Sequence, residues 1–144
     1  MPSMREQVLS ALLDRLRAIP GAIVKRNEAL PQTVPAGGLV IQRDGDPGAP
    51  DVTLNPRTEF YSHAVELEVF AAQPPGGAGE AALDQILSGI AGALRSDLSL
   101  GGLIENLVCG APDVQAITIE GAPPMVSARL TLTIEYLVSD PLAG

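Results

Sequence analysis

The sequence predicts an α+β domain in which a mostly antiparallel sheet of about four to five strands carries two helices on one face. Three patterns lead there: two segments with apolar residues at helical spacing, two long segments with strict alternation, and the order helix, strands, helix, strands. Each alternating segment keeps a polar side, which argues for antiparallel pairing, because central parallel strands are apolar on both faces. No internal repeat and no linker interrupts residues 1–144, so one domain is expected.

Taken in order, residues 4–19 place Val8, Leu9, Leu12, Leu13, Leu16 and Ile19 on one helical stripe. Ser3, with Glu6 three residues later, matches a capping box, and Arg15 and Arg17 lie where cations suit the helix dipole. Pro20-Gly21 ends the helix. Residues 22–26 and 38–43 read as short strands, and residues 27–37, with Pro31 and Pro35, as a loop between them. The stretch 44–57 opens on Asp44-Gly45-Asp46-Pro47-Gly48 and reads as a long loop, of a kind often functional or mobile.

Residues 58–71 alternate cleanly: Tyr61, His63, Val65, Leu67 and Val69 share one face, and Ser62, Ala64, Glu66 and Glu68 the other. Residues 79–96 form the second helix, with a stripe of Leu83, Ile86, Leu87, Ile90 and Leu94. Gly89 and Gly92 weaken it by about 1 kcal/mol each relative to alanine, which a close approach by a neighbouring element would explain. Residues 103–109 and 113–120 read as short strands. Residues 125–138 are the second strong strand, with Val126, Ala128, Leu130, Leu132, Ile134, Tyr136 and Val138 on one face and Ser127, Arg129, Thr131, Thr133 and Glu135 on the other. Pairing of the two long strands sets Glu66 and Glu68 within reach of Arg129.

Composition narrows the function classes. With 46% hydrophobic and 18% charged residues the chain is too apolar to be disordered, yet no run approaches the ~20 apolar residues of a membrane span. The N-terminus shows no apolar segment behind a basic start, so no secretory signal is expected. A net charge of −8, with the nine basic residues scattered, opposes direct capture of nucleic acid. Cys109 and His63 are the only cysteine and histidine, so neither an internal disulfide nor a Cys/His zinc site can form within one chain.

Candidate chemistry is thin. His63 is the only imidazole available to a hydrolase, and it sits on an apolar strand face, where a core or interface histidine is the commoner role. Cys109, between Val108 and Gly110, has no basic sequence neighbour to lower its pKa and reads as a buried structural thiol. Asp44 and Asp46 flank Gly45 in a turn and lack the further ligands of a calcium loop. Glu66 and Glu68 have the spacing of paired carboxylates, but a solvated strand face is the commoner outcome. Gly76-Gly77-Ala78-Gly79 precedes a helix without the Gly-Lys-Ser/Thr ending of a phosphate loop. No catalytic residue, cofactor or metal site is predicted, and the chain is read as a non-enzyme.

The layout resembles the tail terminator proteins of long-tailed bacteriophages and gene transfer agents, the group that includes minor tail protein U of lambda-like phages. The resemblance rests on the helix Val8 to Ile19 followed by Pro20-Gly21, the Pro31 and Pro35 loop leading into Leu39-Val40-Ile41, and the strand from His63 to Val69. It continues through the helix Ala81 to Leu94, the turn Asp97-Leu98-Ser99-Leu100-Gly101-Gly102-Leu103 and the last strand ending in Glu135-Tyr136. It implies a structural role: a ring of identical copies, usually a hexamer, at the head-proximal end of the tail tube, which ends tube polymerisation and joins the tail to the head connector. The implied partners are the major tail tube protein and the head–tail connector protein, with DNA passing through the ring unbound. The implied location is the particle tail, after assembly in the bacterial cytoplasm. The interface candidates are Arg43, Asp44, Asp46 and Arg57 around the 44–57 loop, and Glu66, Glu68 and Arg129 on the polar strand face. Two other readings stand beside it: another head–tail joining or tail completion protein, and a small enzyme or ligand-binding domain using Glu66, Glu68 and His63 around a pocket.

Overall fold

The computed structural model describes residues 2–31, 33–74, 76–118, 120–121 and 123–142. Its elements follow the chain as α1 (Met4–Leu16), β1 (Ile23–Arg26), β2 (Leu39–Asp46), β3 (Asp51–Thr53), β4 (Thr58–Ala72), α2 (Gly79–Arg95), β5 (Asn106–Cys109), β6 (Asp113–Ile117) and β7 (Met125–Val138).

The two alternating segments become β4 and β7, paired antiparallel without a break from Glu59↔Val138 to Ala72↔Met125. At about 3.4 Å per residue this ribbon is roughly 45 Å long. It forms the spine of a seven-stranded sheet of order β1-β2-β4-β7-β5, with β3 also on β4 and β6 also on β7. The sheet is therefore larger than the four to five strands expected, and it is mixed, because β1 runs parallel to β2. Parallel pairing of two short strands leaves no local mark, since the partners are brought together by the intervening chain and not by a turn.

One face of the ribbon carries the core. Val65, Leu67, Val69, Leu130, Leu132 and Ile134 join Val8, Leu12 and Leu16 of α1 and Leu83, Ile90 and Leu94 of α2 in one buried cluster. Ser3 caps α1 as its sequence indicates, accepting a bond from the Glu6 amide at 3.2 Å. Gly89 also behaves as anticipated: a Cβ there would stand 3.0 Å from Ile19 Cγ2 in the turn after α1. Gly92 meets nothing within 4 Å, so no packing contact explains it.

The opposite face departs from the expectation of a wholly polar surface. At one end Leu39, Ile41, Phe70 and Met125 form a second buried cluster, covered by Val34 of the connection between β1 and β2 and by Ile117 of β6. Only the stretch beyond this cluster is polar. The 44–57 stretch is not a loop either. It holds the end of β2 and all of β3, which pairs with the start of β4 through Asp51↔Phe60 to Thr53↔Thr58. The register shifts between Arg43 and Asp46, and Gly45 sits there with φ +67°, where a Cβ would collide with the Ala64 carbonyl. A bulge of this kind is rich in turn residues, which is why the sequence reads as a loop. Cys109 is exposed on edge strand β5 instead of buried, and partial desolvation raises its thiol pKa.

Candidate functional site

The predicted interface residues fall into three places. On the polar face, cross-strand register sets Arg43 opposite Glu66 and Glu68 opposite Arg129. Arg43 Nε donates to Glu68 Oε1 at 2.6 Å. Arg129 Nε lies 2.5 Å from Glu66 Oε1, and its Nη2 3.8 Å from Glu68 Oε2. The sheet thus brings four of the seven candidates into one ladder of alternating charge, and the pairing of Glu66 and Glu68 with Arg129 is as the alternation implied. A cavity of about 150 Å³ lies beside the ladder, lined in part by Leu30, Asp113, Gln115 and Ser127.

Asp44 points the other way, toward α1. Its carboxylate accepts from Arg26 Nε at 2.7 Å and Nη2 at 2.8 Å, while the same guanidinium clamps Glu6 at 2.7 and 2.8 Å. Hydrogen bonds from Arg26 hold both carboxyls below their ordinary pKa, and the two carboxylates raise that of Arg26. Neither Arg26 nor Glu6 was identifiable as a partner from spacing, because they lie on different elements. The Asp44 backbone is fixed as well, its amide donating to Asn27 Oδ1 at 3.1 Å.

His63 closes this arrangement. Its Nε2 lies 2.6 Å from the Asp44 carbonyl and its Nδ1 2.9 Å from the Tyr136 hydroxyl. A carbonyl only accepts, so Nε2 carries the proton; the Tyr136 hydroxyl can donate to Nδ1, and burial favours this neutral form of the imidazole. The ring is 0% exposed. Burial lowers its pKa, and Arg5 adds to this, against the opposing effects of the Asp44 carbonyl and of Asp44 and Asp46. Burial also pushes Tyr136 up to about 12. His63 is thus a core histidine that fastens the bulge of β2 to β4 and β7. Glu66 and Glu68 lie on the opposite face of the same strand, so the three residues cannot line one pocket, and that arrangement is ruled out by alternation.

The remaining candidates belong to the arm formed by the end of β2, β3 and the turn at 54–57. Asp46 Oδ1 accepts from the Gly48 amide at 2.8 Å, and Arg57 Nη2 donates to Glu59 Oε1 at 3.1 Å. Buried Glu59 also accepts from the Tyr61 hydroxyl at 2.9 Å. Asp46 and Arg57 are thus engaged within the chain, and among the exposed side chains of the arm are two large apolar ones: Leu54 is 71% exposed and Val52 44%. Leu54 lay inside the turn-rich stretch and carried no periodic signal.

Two further features complete the surface. The Asp97 carboxylate accepts from the Ser99 amide and hydroxyl and from the Gly101 amide, and Arg15 pairs with it at 3.6 Å. Buried Leu100 adopts φ +49° in this turn. An apolar groove of about 500 Å³ opens between the turn after α1, residues 36–38, the end of β4 and the start of α2, and among the described residues Gln85 is the only polar side chain lining it. Among the described residues no group of three or more His, Cys, Asp or Glu is placed to hold a metal, and no helix is long and apolar enough to cross a membrane.

No family model and no curated protein matches the chain. Among solved structures, a sheath/tube terminator of an extracellular contractile injection system (PVC) in its extended state is similar at 14% identity and TM-score 0.41, over 96% of this chain and 58% of that one. The chain therefore spans less than two thirds of that protein's length. A chain of the virion of a native gene transfer agent particle is similar at 15% identity and TM-score 0.42, over 89% of this chain and 94% of that one. Likenesses at this level assign no function.

Proposed function

We propose that this chain is a non-enzymatic assembly protein of the tail terminator type, forming a ring of identical copies that caps the head-proximal end of a phage-type tail tube. The observation that carries the reading is the β3–β4 hairpin, whose turn exposes two apolar side chains, Leu54 at 71% and Val52 at 44%. Exposed apolar side chains at a hairpin turn are suited to seat in a partner. The order of elements supports the same role through its resemblance to the terminator family. In this reading the tip contacts the major tail tube protein or the neighbouring copy, and the opposite end of the β4–β7 ribbon faces the connector. Arg43, Glu66, Glu68 and Arg129 form the polar sheet face, and the net charge of −8 lets DNA pass without adhering.

The test adds purified chain to polymerising tail tube protein and measures tube lengths by electron microscopy. Growth stops short with the native chain and continues with Leu54→Asp, whose folded state is checked by circular dichroism. Unchanged tube lengths with the native chain would sink the terminator role. Arrest by the native chain and Leu54→Asp alike would remove the tip from it.

A further inference from the structure

The two lateral edges of the sheet match each other residue by residue. Cross-strand register runs in continuous rows from β1 to β6. Lys25 stands opposite Ile41, then Glu68, Arg129 and Asp113; Val24 opposite Val40, Val69, Ala128 and Val114; Ile23 opposite Leu39, Phe70, Ser127 and Gln115. The three outermost residues of β1 and the three of β6 therefore lie at the same height on the ribbon. They also run in opposite senses, since β1 is parallel to β2, β2 and β7 are both antiparallel to β4, and β6 is antiparallel to β7.

Hydrogen-bond parity agrees. The Ile23 amide bonds the Gly38 carbonyl and the Asn27 amide the Gln42 carbonyl, so Val24 turns its own N–H and C=O away from β2. Alternation carried along the rows leaves Val114 likewise turned away from β7. Both strands are free on these sides among the described residues. The side chains complement each other: Lys25 and Asp113 are exposed, of opposite charge and on the same face, and neither has a salt-bridge partner among the described residues. On the helix side Val114 is 51% exposed beside a row that ends in buried Val24.

We propose that β1 of one copy adds antiparallel to β6 of the next, with Lys25 facing Asp113 and Val24 facing Val114. Rotation about an axis along the strands leaves their direction unchanged, so successive copies meet antiparallel, and the unlike edges make a head-to-tail contact that closes as a ring. The pairing rests on the proposed ring of copies and specifies its junction. An edge lysine also discourages stray strand pairing; the row-matched Asp113 makes it selective for this one edge.

The test uses the chain with Cys109→Ser, Lys25→Cys and Asp113→Cys. In the proposed register these two cysteines form a non-hydrogen-bonded pair, whose Cα separation suits a disulfide. Oxidation is run on the free protein and on protein incubated with tail tubes. The expected result is a ladder of dimers, trimers and larger species, whereas each single-cysteine variant stops at the dimer. No species above the dimer under either condition overturns the junction; if the native chain still arrests tube growth, the terminator reading survives that failure. A ladder without tube arrest supports the junction and removes the terminator role.

Discussion

Replacing His63 by glutamine isolates one proton's contribution to stability. His63 is the only histidine, and in the fold it is buried and neutral, with a pKa below its ordinary 6.5. The carboxyls of Glu6 and Asp44 have ordinary values of 4.5 and 3.8, lowered further in the fold. As pH falls through 6.5, the unfolded chain therefore takes up a proton at His63 before the folded chain does. The unfolded state binds more protons in that window, so stability falls as pH falls. It is fully present above 6.5 and declines until the folded-state pKa is reached, with a limiting slope of about 1.4 kcal/mol per pH unit. With a urea slope of about 1–3 kcal/mol/M, the loss of 1 kcal/mol lowers the midpoint by roughly 0.3–1 M. Urea unfolding followed by circular dichroism from pH 8 to 5 measures this. The native midpoint should be level above pH 7 and fall below 6.5. The His63→Gln midpoint should stay level across the window, because an amide can still donate to the Asp44 carbonyl and accept from Tyr136 without titrating. A level native profile, or an equal slope in the variant, would refute the assignment.

Three further outcomes follow from the packing. Gly92→Ala, where nothing lies within 4 Å of the new Cβ, should raise stability by about 0.5–1 kcal/mol; Gly89→Ala, 3.0 Å from Ile19, should fall short of that gain, and equal shifts in thermal melts would contradict the contact. Ile134→Ala removes a fully buried side chain and should cost about 2–5 kcal/mol in urea unfolding. Arg26→Met leaves Glu6 and Asp44 without their shared guanidinium and should cost about 1–2 kcal/mol at pH 7, discounted for partial exposure. That stabilisation is present above the unfolded carboxyl values and is lost as pH falls through the lowered folded ones, so the gap between native and variant midpoints should narrow as pH falls below the ordinary carboxyl values.

Legibility followed locality. Residues 125–138 form a strand over the full span that their alternation marks, and both helices begin and end within a few residues of their cap and breaker signals. The burial of His63 was readable from its place on the apolar face of β4. The arm was not: Asp44-Gly45-Asp46-Pro47-Gly48 has the composition of a loop, while its path along β4 depends on a bulge fastened by a distant histidine. The Arg26 clamp was hidden for the same reason, since it joins α1 to β2 across unrelated stretches of chain. Cys109 was misread because a single residue on a four-residue strand carries no pattern to show which way it faces.

The amino-acid sequence by itself determined the α+β class, the two amphipathic helices, the long strand pair with its inner and outer faces, and the meeting of Glu66 and Glu68 with Arg129. Each follows from periods of 2 or 3.6 residues, which the backbone converts directly into faces. Only the tertiary structure decided that the sheet has seven strands with one parallel edge, that the turn-rich stretch is a paired arm with an apolar tip, that a second small core covers part of the outer face, and that the two lateral edges stand in matching register. These depend on contacts between residues far apart in the chain. Such contacts are selected by how much apolar surface the whole fold buries and how many backbone groups it pairs, and no local window of sequence contains that balance.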